Sequence, residues 1–238
     1  MTGKRIHLTF LSLFIVSLLF ADIPVGYYTN ASGKSGAELK TSLYQILKEH
    51  KRIPYGSAYG STWTVFRKSD VYPSGITGHP EGSIWDMYSD IVRYFPSGQS
   101  GSNREMNIEH SVPKSWWGDS QSPFKKDASY DLHHLVPSDA SANSAKSNYP
   151  LGEITGSVSF SNGVSTVGIA TIGVTTTRAF EPADEYKGDF ARMYLYLVTC
   201  YQDYTWAVTS MFASNTYPTL TDYGKSLLLK WHRQERKE

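Results

Sequence analysis

The stretch Asn107–Gly118, NIEHSVPKSWWG, sets the carboxylate of Glu109 directly against the imidazole of His110, then adds a proline, a lysine and two tryptophans. Imidazole is the side chain best matched to moving a proton at neutral pH, and a carboxylate beside it can hold a cation. Further candidates follow soon after: Asp131, His133 and His134, then Asn143 and Asn148. Chemistry-bearing groups are therefore concentrated between residues 107 and 149. A zinc hydrolase is the first class to weigh. Neighbouring side chains of a strand point to opposite faces, so His133 and His134 cannot share one metal without distortion. No His-x-x-x-His, His-x-His or cysteine pair supplies the usual tetrahedral set. A hard divalent cation fits better, because Mg²⁺ or Ca²⁺ takes oxygen ligands and Mg²⁺ commonly uses only one or two protein groups. The Glu109 carboxylate with the amide oxygen of Asn143 would form such an open site, and neutral His110 beside it suits a general base.

These residues need elements to place them. Residues 106–112 and 130–137 are short, apolar and β-compatible, and the second runs into the Ala/Ser-rich SDASANSAKSN, with a helix cap at Ser138 or Asp139. The expected order is strand, loop, strand, helix. Glu109 and His110 would then face opposite ways, unless a twist or bulge near Pro113 turns both to one cleft. Upstream, Ser35–Glu38 reads as a capping box for a helix over 36–50, and 52–101, rich in Gly, Pro, Ser and Tyr, reads as loops around short extended pieces. Downstream, SVSFSNGVSTVGIA alternates Val158 and Phe160, turns at Asn162-Gly163 and resumes with Val167 and Ile169, a hairpin signal. Phe190, Met193, Leu197 and Val198 predict an amphipathic helix over 188–203, and a last helix begins near Thr221 or Asp222 with Leu227, Leu228 and Trp231 inward.

The N-terminus carries Lys4 and Arg5, an apolar run from Leu8 to Phe20, and Ala21 before Asp22. That is the layout of a secretory signal peptide over 1–21, and the run is short for a membrane span. The remainder is long enough for one domain and is expected to be a monomer without stable membrane insertion. Removing 1–21 takes away two bases and no acid, so 21 basic residues face 22 acidic ones and the net charge is −1. A polyanion partner must then be held by a local patch rather than a global field. The only cysteine, Cys200, cannot form an internal disulfide and sits in an apolar helical pattern, as a buried small hydrophobe would.

NIEHSVPKSWWG, YDLHHLVPSDASANSAKSNYPLGE at 130–153 and FEPADEYKGDFARMYLYLVTCY at 180–201, in this order, resemble the bacterial endonuclease I family of secreted or periplasmic nucleases, within the His-Me finger (ββα-metal) group. The likeness covers most of residues 27–233. It implies an α+β fold, a single nuclease domain over 22–238 with surrounding helices and a β-hairpin. It implies His110 as the general base that activates water, and Glu109 and Asn143 as ligands of Mg²⁺, with Ca²⁺ or Mn²⁺ as alternatives. His133 and His134 become supporting residues. The implied reaction is phosphodiester hydrolysis of DNA, and of RNA in many relatives, with little sequence preference, leaving 5′-phosphate and 3′-hydroxyl ends in the periplasm or outside the cell. Phosphate contact is expected from Lys114, Lys146, Arg178 and Arg192, with Arg192 and Lys114 preferred. Trp116 and Trp117 either stack bases or anchor the finger, and Lys125 or Lys126 stands in for a loop arginine of some relatives. Many relatives continue beyond the match to LLLKWHRQ, so a shortened, less stable or less active copy is an expectation, and a weak nucleic-acid binder is the alternative function.

Overall fold

The computed structural model describes residues 23–98, 100–121 and 124–235, so the signal peptide expected over 1–21 lies outside the described residues. Ten regular elements follow in order: α1 (Gly36–Leu47), α2 (Thr62–Ser69), β1 (Met106–His110), β2 (Leu135–Asp139), α3 (Ala140–Lys146), β3 (Ile154–Ser161), β4 (Ser165–Ile172), β5 (Thr175–Pro182), α4 (Asp184–Cys200) and α5 (Asp222–Glu235). The fold is α+β, with a two-stranded sheet β1-β2 and a three-stranded antiparallel sheet β3-β4-β5.

The expected strand, loop, strand, helix unit is present with different bounds. β1 and β2 pair antiparallel without a bulge, from Met106 opposite Asp139 to His110 opposite Leu135. The second strand begins at Leu135, not at residue 130, because Asp127–Tyr130 forms a 3₁₀ turn and Asp131 bends the chain. α3 starts at once, and Asp139 is its cap: Oδ1 accepts from the backbone N–H of Ala142 at 2.8 Å.

Two expectations upstream fail. Ser35 flanks α1, but its side chain makes no cap bond and Glu38 faces Lys34 at 3.5 Å, so no capping box forms. The Gly/Ser-rich region 52–101 is not loop throughout, since Thr62–Ser69 is helical. Trp63 and Phe66 of α2 pack with Ile84, Met106 and Leu135, and so support both strands of the small sheet. Eight residues between glycine-rich flanks are too few for periodicity to be read, and packing rather than propensity makes this helix.

The Asn162-Gly163 turn does join β3 to β4, and Asn162 Oδ1 accepts from the N–H groups of Val164 (3.1 Å) and Ser165 (2.7 Å). The sheet gains a third strand, β5, in register with β4 from Ser165 opposite Pro182 to Ile172 opposite Thr175. Contrary to the alternation read from sequence, Val158 lies exposed, because β3 is an outer strand with two register irregularities. A Cβ on Gly168 would lie 2.7 Å from Ile154 Cγ2, which fixes glycine where the strands close up. α4 begins four residues earlier than periodicity suggests, at Asp184, with acidic Asp184 and Glu185 at its positive end. Its buried face, with Phe190, Tyr194, Leu197 and Val198, forms the main core with Leu227, Leu228 and Trp231 of α5.

One buried carboxylate ties the loop before β2 to α4. Asp131 accepts from the backbone N–H of His133 (2.9 Å), Tyr196 Oη (2.8 Å) and Tyr201 Oη (2.7 Å), and lies 3.1 Å from His133 Nδ1. Burial opposes its charge, but these bonds outweigh burial and hold its pKa well below the ordinary 3.8. A depressed carboxylate stabilises the fold above the unfolded value, and that contribution is lost as pH falls below 3.8. Asp131→Asn is expected to cost about 2 kcal/mol or more. Thermal melts from pH 7 to pH 3 should show the wild-type advantage shrinking below about pH 4.

Candidate active site

A cleft of about 630 Å³ opens at the end of β1, where Glu109, His110, Lys114 and Asn143 all line its wall, together with Tyr55 and Asn148. The question of opposite faces is answered by the strand's end rather than by a bulge. His110 is the last residue of β1, and the chain then turns through Pro113 into a 3₁₀ turn at Lys114–Trp116. The cleft thus borders both the face that carries Glu109 and the open end that carries His110.

His110 is buried, with Nε2 3.1 Å from the carbonyl oxygen of Ser129. A carbonyl only accepts, so Nε2 carries the hydrogen and Nδ1 carries the lone pair. The ring is caged by Tyr55, stacked at 5.6 Å, and by Phe124, Trp117 and His134 at 5.4–6.1 Å. Burial, then the charges of His134 and Lys114, push its pKa well below 6.5, so the ring is neutral at physiological pH and ready to accept a proton.

Glu109 is nearly closed over, and Oε1 accepts from Lys146 Nζ at 2.7 Å. Lys146 is fully buried at the last turn of α3. It is therefore not the phosphate contact expected from sequence; its ammonium serves Glu109 instead. Oε2 of Glu109 and the side-chain amide of Asn143 have no hydrogen-bond partner among the described residues. Two unengaged oxygens at one cleft are the donor chemistry of a hard divalent cation that keeps most of its waters.

The other expected cations divide. Lys114 lines the cleft, with Nζ 4.5 Å from the Phe124 ring centre. Arg192, preferred for phosphate contact, is not brought to the cleft: it lies on α4 and pairs with Asp189 one turn away. Arg178 bonds the hydroxyl of Tyr149 at 3.1 Å on β5. Lys126 donates to the Trp117 carbonyl, and neither it nor Lys125 lines the cleft. Trp116 and Trp117 are both buried, which makes them anchors rather than base platforms. His134 is sealed beneath His110 with Nε2–H donating to the Ala128 carbonyl at 2.6 Å, while exposed His133 stacks on Tyr196. Sequence reading missed Tyr55 and Phe124; the only signal was an aromatic in a Gly/Pro-rich stretch for Tyr55 and in the polar loop between the strands for Phe124.

A second group, His50, Asp131 and Cys200, could offer a metal three atoms within 4.8 Å. Tyr201 Oη already bridges it, 3.0 Å from His50 Nε2 and 2.7 Å from Asp131 Oδ2, and burial pushes the Cys200 thiol up to about 11. Hydrogen bonds already use this group, and it lies outside the cleft lining.

The two cations beside Glu109 and His110 are separable. Lys146→Met leaves a nearly closed carboxylate unpaired and should lower stability by about 1–3 kcal/mol and also impair cleavage. Lys114→Ala should leave the melting temperature nearly unchanged and raise KM, which steady-state kinetics and thermal melts together will resolve.

Comparison with known proteins comes to the same stretch of chain. An "Extracellular ribonuclease" of Bacillus amyloliquefaciens is 32% identical over 223 residues, 88% of this chain and 65% of that protein. An "Extracellular ribonuclease" of Bacillus subtilis (strain 168) is 28% identical over 229 residues, 94% of this chain and 71% of that protein. The chain thus spans about two thirds of the length of these relatives. The family model for Endonuclease I matches residues 35–236, from the start of α1 to the end of α5 and through every residue of the cleft. The chain belongs to the endonuclease I family.

Proposed function

We infer that this chain is an exported, divalent-metal-dependent endonuclease that hydrolyses phosphodiester bonds of DNA and RNA with little sequence preference, on a ββα finger formed by β1, β2 and α3. One observation carries the reading: a tautomer-fixed, neutral His110 shares a cleft with two unengaged oxygen ligands, Glu109 and Asn143. A cation held by Glu109 and Asn143, Mg²⁺ first and Ca²⁺ or Mn²⁺ as alternatives, supplies when bound the positive charge that a departing 3′ oxygen requires. Nδ1 of His110 takes the proton of the attacking water, and the Ser129 carbonyl steadies the imidazolium that results. Lys114 meets the phosphate at the cleft wall. Nothing in this constellation reads a base edge, in keeping with contacts to backbone alone.

The names of both relatives support RNA among the substrates and support secretion. Among the described residues no helix is long and apolar enough to cross a membrane. The competing reading, a nucleic-acid binder of feeble activity, is disfavoured by the intact set Glu109, His110 and Asn143.

Plasmid DNA and RNA incubated with the purified chain should be cut with Mg²⁺ and spared with EDTA, and His110→Ala should lower the rate by roughly 10²–10⁴-fold with the fold intact by circular dichroism. Binding without cleavage under Mg²⁺, Ca²⁺ and Mn²⁺ would establish the competing reading. Undiminished cleavage by His110→Ala would remove the histidine from its role.

A further inference from the structure

A second concavity of about 400 Å³ is lined by Tyr59, Thr64, Arg67, Lys68 and Gly98, on the outer face of α2. No carboxylate lines it. Arg67 spends its two terminal nitrogens on the carbonyls of Pro96 (2.8 Å), Gly98 (3.4 Å), Ser100 (2.8 Å) and Gly101 (3.1 Å). Among the described residues it meets no acid, so its charge is held in place and left uncompensated. Lys68 is exposed, and its ammonium has no hydrogen bond or ion pair among the described residues. Tyr59 presents a ring that is 74% exposed on a loop that is itself tied down: Thr62 N–H donates to the Pro54 carbonyl (2.9 Å), Trp63 N–H to Gly56 (3.1 Å) and Gly101 N–H to Ser57 (2.9 Å). An exposed aromatic on an ordered loop beside two unneutralised cations matches the chemistry of one nucleotide, a base face and a phosphate.

The position matters as much as the composition. Tyr55 lines the reaction cleft and Tyr59 lines this concavity, so four residues of one loop join the two. At about 3.6 Å per residue the Cα atoms of Tyr55 and Tyr59 are at most about 14 Å apart, a reach of only a few nucleotides along a strand.

We propose that Tyr59, Arg67 and Lys68 form an accessory subsite that takes an unpaired nucleotide of the substrate strand a few positions from the bond cut at His110, with the base stacked on Tyr59 and the phosphate held by Lys68 in the field of Arg67. This rests on the nuclease reading above. It makes the enzyme favour single-stranded segments, since a base within a duplex has no free face to stack. Arg67 acts through its charge and braces Pro96, Gly98, Ser100 and Gly101, whereas Tyr59 and Lys68 make the contacts.

The test is fluorescence anisotropy on the full chain carrying His110→Ala, with Mg²⁺ present, using a labelled single strand of 12 nucleotides and a 12-base-pair duplex. Tyr59→Ala is expected to weaken the 12-mer single strand about fivefold or more and to leave the duplex within twofold. Lys68→Ala should reduce the slope of log K against log salt for the 12-mer by about 0.7. Both side chains are exposed, so neither change threatens the fold. Equal binding of the 12-mer by all variants overturns the subsite, and an equal loss on duplex and single strand overturns the stacking role. Failure of the nuclease reading shows separately, as a wild-type chain that cuts neither plasmid nor RNA.

Discussion

A lysine with no access to water must find its counter-charge inside the protein, and Lys146 finds Oε1 of Glu109 at 2.7 Å. An isolated buried ammonium would be expensive, and a buried ion pair adds little net stability over an apolar pair, so its value here is geometric. It binds the last turn of α3 to β1. α3 has only seven residues and would not persist alone. Its other end is held by charge as well: Asp139 caps it while Oδ2 accepts from Arg93 at 2.7 Å, and buried Arg93 also meets Asp86 (3.7 Å) and Glu105 (3.2 Å). Asn143 sits between the two pinned ends. Its place in the cleft beside Glu109 follows from those two links rather than from helix propensity.

The same pair divides the work within the Glu-His dipeptide. Lys146 occupies one carboxylate oxygen and leaves the other unengaged, which in the proposed function suits Glu109 to holding a cation rather than carrying a proton. His110 is treated in the opposite way, with a carbonyl on one nitrogen and aromatic rings around the other atoms. A water-poor cage and nearby positive charge favour the neutral ring. Two adjacent residues thus acquire distinct electrostatic environments because one belongs to the strand's face and the other to its end.

How much of this was legible follows from what each signal depends on. The Asn162-Gly163 turn and the Leu/Trp stripe of α5 are local patterns, and both appear where the sequence places them. Glu109, His110 and Asn143 could be named from residue type and from the family likeness, and all three line one cleft. What failed depends on partners distant in sequence. Lys146 reads as a surface cation because nothing near it signals Glu109, 37 positions away. Arg192 is a separate case: it was favoured by its motif, and its helical phase places it beside Asp189, three residues away, and outside the cleft lining. α2 was hidden because Trp63 and Phe66 gain their meaning only from Met106 and Leu135. The absent capping box at Ser35 shows the converse, a local pattern overruled when Glu38 turns to Lys34.

The central claim is that Glu109 holds the cation while His110 moves the proton. It is tested most directly by calorimetric titration of Mn²⁺ into the wild-type chain, Glu109→Gln and His110→Ala, without nucleic acid. The account predicts that His110→Ala binds one ion with wild-type affinity and that Glu109→Gln loses at least about tenfold. Unchanged binding by Glu109→Gln, or loss of binding by His110→Ala alone, would contradict it.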